Sequence, residues 1–112
     1  LDKLVQWGCD VPSALERFID DKELYVDCLK AFEDDENFGL LEENLAKQDY
    51  KAAFDNAHTL KGVSANLSLT PLLQKLSDVV EDLRGDMKDT IDVHMAGMKE
   101  EYKNYKRIMA EA

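Results

Sequence analysis

Apolar residues recur every three or four positions along almost the whole chain. Leu15, Phe18 and Ile19 share a face of "PSALERFI", a short helical turn opened by Pro12 and Ser13. Asp20 and Glu23 have the spacing of a capping box, ahead of a helix that carries Leu24, Tyr25, Cys28, Leu29 and Phe32 inward. A further helix is predicted from Asn37 to about Gln48 on the stripe Phe38, Leu41 and Leu45, and Asp49 caps the next, over Tyr50 to Asn66. Thr70 and Pro71, as N-cap and first-turn residue, start a helix with Leu72, Leu73, Leu76, Val79, Val80 and Leu83 on one side. "RGDMKD" breaks the chain near Gly85, and a last helix carries Ile91, Met95, Met98, Tyr102, Tyr105 and Met109. No segment alternates with period two, so the expected fold is all-α. The helices starting at Asn37, Tyr50, Thr70 and Thr90 make an antiparallel up-down four-helix bundle, with additional short N-terminal helical segments beside or over it.

At 112 residues the chain reads as a single domain, residues 1–112, without repeat, linker or low-complexity segment. It holds 24 acidic and 14 basic residues, a net charge of −10. Phosphate backbones and anionic lipid repel such a surface, so neither nucleic acid nor a membrane is an expected partner. No apolar run approaches the roughly 20 residues of a bilayer span. Cys9 and Cys28 match no metal spacing and no disulfide framework; Cys28 falls on an apolar stripe as a small core residue, and a cytoplasmic setting is expected. The chain opens on Leu1 without a methionine, which leads to the expectation of a piece cut from a longer protein.

"AHTLKGVSANLSL" is where chemistry concentrates. At about 100° per residue, Ala53, Ala57, Leu60, Ser64 and Leu67 point one way, the core. His58 then lies about 140° from that direction, Lys61 about 80° and Gly62 about 180°. An outward glycine inside a helix costs roughly 1 kcal/mol relative to alanine. Close packing against a neighbour cannot be its purpose, because it faces away from one; what it offers is open space one turn from His58. Lys61 biases the imidazole toward its neutral, nucleophilic form and can neutralise an anion delivered to it, two properties suited to phosphoryl transfer. Phe54 and Ala65 flank the histidine with apolar surface on which a partner could dock.

With Ala57, Leu60, Asn66 and Leu67 around the His-x-x-Lys-Gly run, this segment resembles the histidine-containing phosphotransfer (HPt) domain of bacterial two-component phosphorelays. "DVPSALERFIDDKELYVDCLKAF" is similar to that family's N-terminal segment, so the resemblance spans roughly residues 9 to 85. It implies that His58 is the phosphoacceptor, Lys61 its electrostatic support and Gly62 the clearance. It also implies a carrier without kinase or phosphatase activity of its own and without a cofactor, Mg²⁺ belonging to the partner. The implied partners are response-regulator receiver domains and a hybrid sensor histidine kinase, of which this domain could be an excised part, acting as a monomer. Family members often have glycine where this chain has Ser68; a left-handed residue there costs serine roughly 1 to 2 kcal/mol unless Asn66 takes the turn. Two rival readings are an acidic docking bundle, which leaves Gly62 unexplained, and a carboxylate-bridged metal bundle. The second finds only Asp55-x-x-His58 and Ile91-x-x-His94, and Asp55 and His58 point outward. His94 reads as a boundary residue of the last helix.

Overall fold

Asp10, Asp21 and Asp49 each precede a helix and accept a hydrogen bond from an amide three residues on, at Ser13, Leu24 and Ala52. These satisfy donors that the first turn of a helix otherwise leaves orphaned. The computed structural model describes residues 2–85 and 88–111, and every regular element among them is helical: α1 Asp2–Trp7, α2 Val11–Arg17, α3 Lys22–Glu33, α4 Asn37–Ala46, α5 Tyr50–Asn66, α6 Thr70–Gly85 and α7 Lys88–Glu111. The break expected in "RGDMKD" falls at positions 86–87, outside the described residues.

The helix ends explain two shifts from the sequence reading. Beyond α2, Ile19 (φ 55°) and Asp20 (φ 58°) are both left-handed, with the Ile19 amide on Glu16 and the Asp20 amide on Leu15. This is a Schellman motif, and it moves the cap of α3 from Asp20 to Asp21. The buried stripe of α3 is the narrower set Tyr25, Leu29 and Phe32, and Leu24, expected inward, is 47 % exposed at its edge. Gln48 (φ 60°) closes α4 in the same way, through Gln48 on Leu45 and Asp49 on Asn44. At the head of α6, Thr70 is already helical, and its backbone donates to the buried Cys9 sulfur. Cys9 is therefore the core cysteine, whereas Cys28 is half-buried in a groove with Phe32 and Val63.

Helices α4, α5, α6 and α7 pack in chain order. Arg84 at the end of α6 lies over Phe54 near the start of α5, which makes these two antiparallel. Asp82 meets His94, and a Cβ at Gly97 would touch Lys75 at 3.4 Å, so α7 runs back along α6. Phe38 stacks on Tyr102 at 3.7 Å and Glu42 pairs with Lys99 at 2.6 Å, which sets α4 against α7.

One further column is built of two helices. The Tyr102 hydroxyl donates to Glu33 and that of Tyr105 to Leu29, so α3 continues along α7 where α4 leaves off. The earlier helix α3 is thus part of the bundle, end to end with α4. Helix α1, not foreseen from the sequence because six residues show too little periodicity, lies on α7 through Trp7, which stacks on Tyr105 and donates to Glu101 at 3.0 Å. The core between these helices is fully buried at Tyr25, Leu41, Leu60, Leu69, Leu72, Leu76, Val79, Val80 and Tyr105. A chain of amides fixes α5 against α4: Asn44 donates to Asn56 at 2.7 Å, and Asn56 to Asn37 at 2.9 Å.

Candidate functional site

The site lies on the outer face of α5, and the residues beneath it decide its orientation. Ala53, Ala57, Leu60 and Ser64 are wholly buried and Leu67 nearly so, the stripe expected from the helical wheel. Small residues at 53, 57 and 64 bring α5 close to its neighbours, while the helix turns His58 and Gly62 to solvent. Lys61 is half-buried at the edge of the same face, Phe54 is half-buried and Ala65 exposed. All five residues singled out in the sequence therefore share one surface strip of this helix.

Phe54 and His58, one turn apart, have stacked rings with centroids 5.7 Å apart and an interplanar angle of 26°. The contact restricts the imidazole to a narrower range of orientations than a free surface histidine has. A Cβ built on Gly62 meets nothing within 4 Å. The space in front of that backbone is open, and no neighbouring helix explains the glycine. Among the described residues no carboxylate lies within ion-pair distance of Lys61, so its ammonium is not neutralised in place. What the strip can do chemically is present a nucleophilic nitrogen, an uncommitted cation three residues on, and room for a tetrahedral group.

The far end of α5 is anchored by side chains from earlier in the chain. Ser68 takes the left-handed turn itself (φ 55°), with its amide on Ala65 and that of Leu69 on Ser64 at 2.9 Å, a Schellman motif with serine in the glycine position. Asn66 stays helical. The remaining carbonyls at that end find donors: Asn66 accepts from Arg17 at 3.0 Å and Leu67 from the Tyr25 hydroxyl at 2.8 Å. The Ser64 hydroxyl is buried in the core without a hydrogen-bond partner.

Two neighbours of the site were not singled out in the sequence. The Arg84 guanidinium lies 5.8 Å from the centroid of Phe54, the same ring that stacks on His58, and Arg84 pairs with Glu81 at 2.8 Å. Arg84 sits in the "RGDMKD" breaker, 26 positions from His58; only the antiparallel return of α6 brings the two near each other. His94 is elsewhere, on α7, where its ring pairs with the buried carboxylate of Asp82. Among the described residues no three His, Cys, Asp or Glu side chains come together as a metal-holding group, and no helix is long and apolar enough to cross a membrane.

The family model of the Hpt domain matches residues 30–106, from within α3 almost to the end of α7. This chain belongs to the Hpt domain family, whose members are phosphocarriers of phosphorelays and not enzymes, and work with receiver domains and kinases. The matched span starts and ends later than the 9–85 read from the residues. No curated protein and no solved structure gives a match to the chain.

Proposed function

We propose that this domain accepts a phosphoryl group on His58 from the aspartyl phosphate of a response-regulator receiver domain and passes it to the aspartate of another. A ring nitrogen of His58 gives its lone pair to phosphorus, and the P–O bond to the aspartyl carboxyl breaks. The carboxylate leaves with the bonding electrons, and the proton on the other ring nitrogen remains there or passes to solvent. The reverse sequence discharges the carrier. Lys61 offsets charge on the moving group, Gly62 leaves the approach open, and Phe54 and Ala65 form apolar ground on which the receiver docks. Mg²⁺ belongs to the receiver in this reading, and the domain works as a cytoplasmic monomer, free or within a hybrid sensor kinase.

The observation that carries the reading is the empty space before Gly62 beside an outward, ring-stacked imidazole. A helix gains stability by filling that position with alanine; Gly39 on α4 is open in the same way, and what supports the reading at Gly62 is that its vacancy lies one turn from the outward imidazole of His58. Incubation with a panel of phosphorylated receiver domains is the test. Acid-labile label should appear on the wild-type domain and be absent from His58→Gln; label retained by His58→Gln, or none from any receiver, would refute the assignment.

A further inference from the structure

We propose that Arg84 is a second phosphate-stabilising cation of this site, held in reserve by Glu81. The inference rests on the reading of His58 as phosphoacceptor and extends it to a residue on a different helix. The Phe54 ring contacts both partners: His58 stacks on it at 5.7 Å, and the Arg84 guanidinium lies 5.8 Å from its centroid. Arg84 is exposed and long, so a change of rotamer carries its planar fork several ångströms without moving the backbone. Its present partner, Glu81, is three residues back on the same helix at 2.8 Å, and both side chains are more than half exposed. A pair of that kind is weak, and a phosphoryl dianion competes with it well: an arginine fork matches phosphate oxygens with two parallel hydrogen bonds.

The sequence of events is a charge exchange. In the unphosphorylated domain Glu81 and Phe54 hold the guanidinium at the edge of the site. When phosphorus binds the imidazole nitrogen, two negative charges arrive on the outer face of α5, and Arg84 leaves Glu81 for the phosphoryl oxygens. Lys61 meets the same group from α5 itself. The phosphorylated carrier is thereby favoured relative to the receiver's aspartyl phosphate, and Glu81 sets how much.

This assignment makes predictions of opposite sign for the two halves of one ion pair. Phosphoryl exchange with a receiver that labels the wild-type domain is brought to equilibrium, and the ratio of phosphohistidine to aspartyl phosphate is measured for Arg84→Gln, Arg84→Lys and Glu81→Gln. Arg84→Gln should lower the ratio about two- to fivefold, as for a cation acting near the surface. Arg84→Lys should restore part of it, and Glu81→Gln should raise it. Thermal melts of the same proteins separate this from a structural role: both changes remove the ion pair, and Arg84→Gln also the contact with Phe54, so stability should fall slightly in both while the ratio moves in opposite directions. Equal ratios in all four proteins, or a ratio that falls in both Arg84→Gln and Glu81→Gln, would overturn the proposal while leaving His58 as acceptor. A wild-type domain that takes no label would remove both.

Discussion

Arg17 donates from one guanidinium nitrogen to the Asn66 carbonyl at 3.0 Å and the Ser68 hydroxyl at 2.8 Å, clamping the end of the helix that presents His58. The hydroxyl that a glycine at this turn would lack is the one Arg17 grips. The cost of a left-handed serine, roughly 1 to 2 kcal/mol, is therefore offset by a hydrogen bond to a charged donor of about 1.5 kcal/mol or more. Ser68→Gly should leave stability within about 1 kcal/mol of wild type. In an Arg17→Met background the same change should stabilise by about 1 kcal/mol. Urea denaturation of the four proteins gives the coupling directly, and a coupling of zero would show that the clamp contributes nothing.

Filling the space before Gly62 separates stability from access. Nothing lies within 4 Å of a Cβ there, so Gly62→Ala should stabilise by a few tenths to 1 kcal/mol. Gly62→Leu should keep the fold and slow single-turnover transfer from a receiver at least tenfold, about 1.4 kcal/mol in the barrier. Transfer by Gly62→Leu at the wild-type rate would end the clearance argument.

The two histidines should separate cleanly. His94→Leu leaves Asp82, 6 % exposed, without its ring partner, and should cost about 1 to 3 kcal/mol in denaturation while the folded protein still takes label on His58. His58→Gln should melt within about 0.5 kcal/mol of wild type and take no label. Label that follows His94 would reverse the assignment.

Lys61→Ala should slow transfer several-fold with an unchanged melting curve. Its ammonium has no ion-pair partner among the described residues, so little stability is lost with it. Parallel melts and transfer rates check this, and equal rates would remove Lys61 from the mechanism.

Alkaline pH should unfold the domain through its interior. Burial pushes the Cys9 thiol from 9.0 up to about 12 and the Tyr25 hydroxyl from 10.0 up to about 12. Above pH 9 the unfolded chain gives up protons that the folded chain keeps, so stability present below that pH declines as pH climbs toward 12. Cys9→Ala should reduce the steepness of this decline between pH 9 and 11 by about one proton, measured as denaturation free energy against pH. An unchanged slope would mean that Cys9 does not contribute.

What the sequence disclosed follows the range of the interactions involved. Asp49, the stripe from Ala53 to Leu67 and the outward turn of His58 and Gly62 depend on neighbours within a few residues, and the helix Tyr50–Asn66 lies where it was predicted. The start of α3 slipped by one because two aspartates compete for the cap, and the backbone of a β-branched residue, Ile19, settles which wins. Arg84 beside Phe54, Asp82 beneath His94, and α3 placed end to end with α4 depend on which helices meet. No local period carries that information.

The anchoring of α5 by Arg17 and Tyr25 bears on where this domain can be cut. The Hpt match opens at Lys30, inside α3, and a chain trimmed to that boundary would lose both donors, the Leu29 carbonyl under Tyr105 and the Cys9 sulfur at the head of α6. Carbonyls at one end of the histidine-bearing helix and the Tyr105 hydroxyl would lose their protein partners, and apolar surface now buried around Leu67, Leu69 and Tyr105 would be opened to water. The segment by which kinship is detected is thus shorter than the segment that holds its own shape, and an expression boundary belongs ahead of α1.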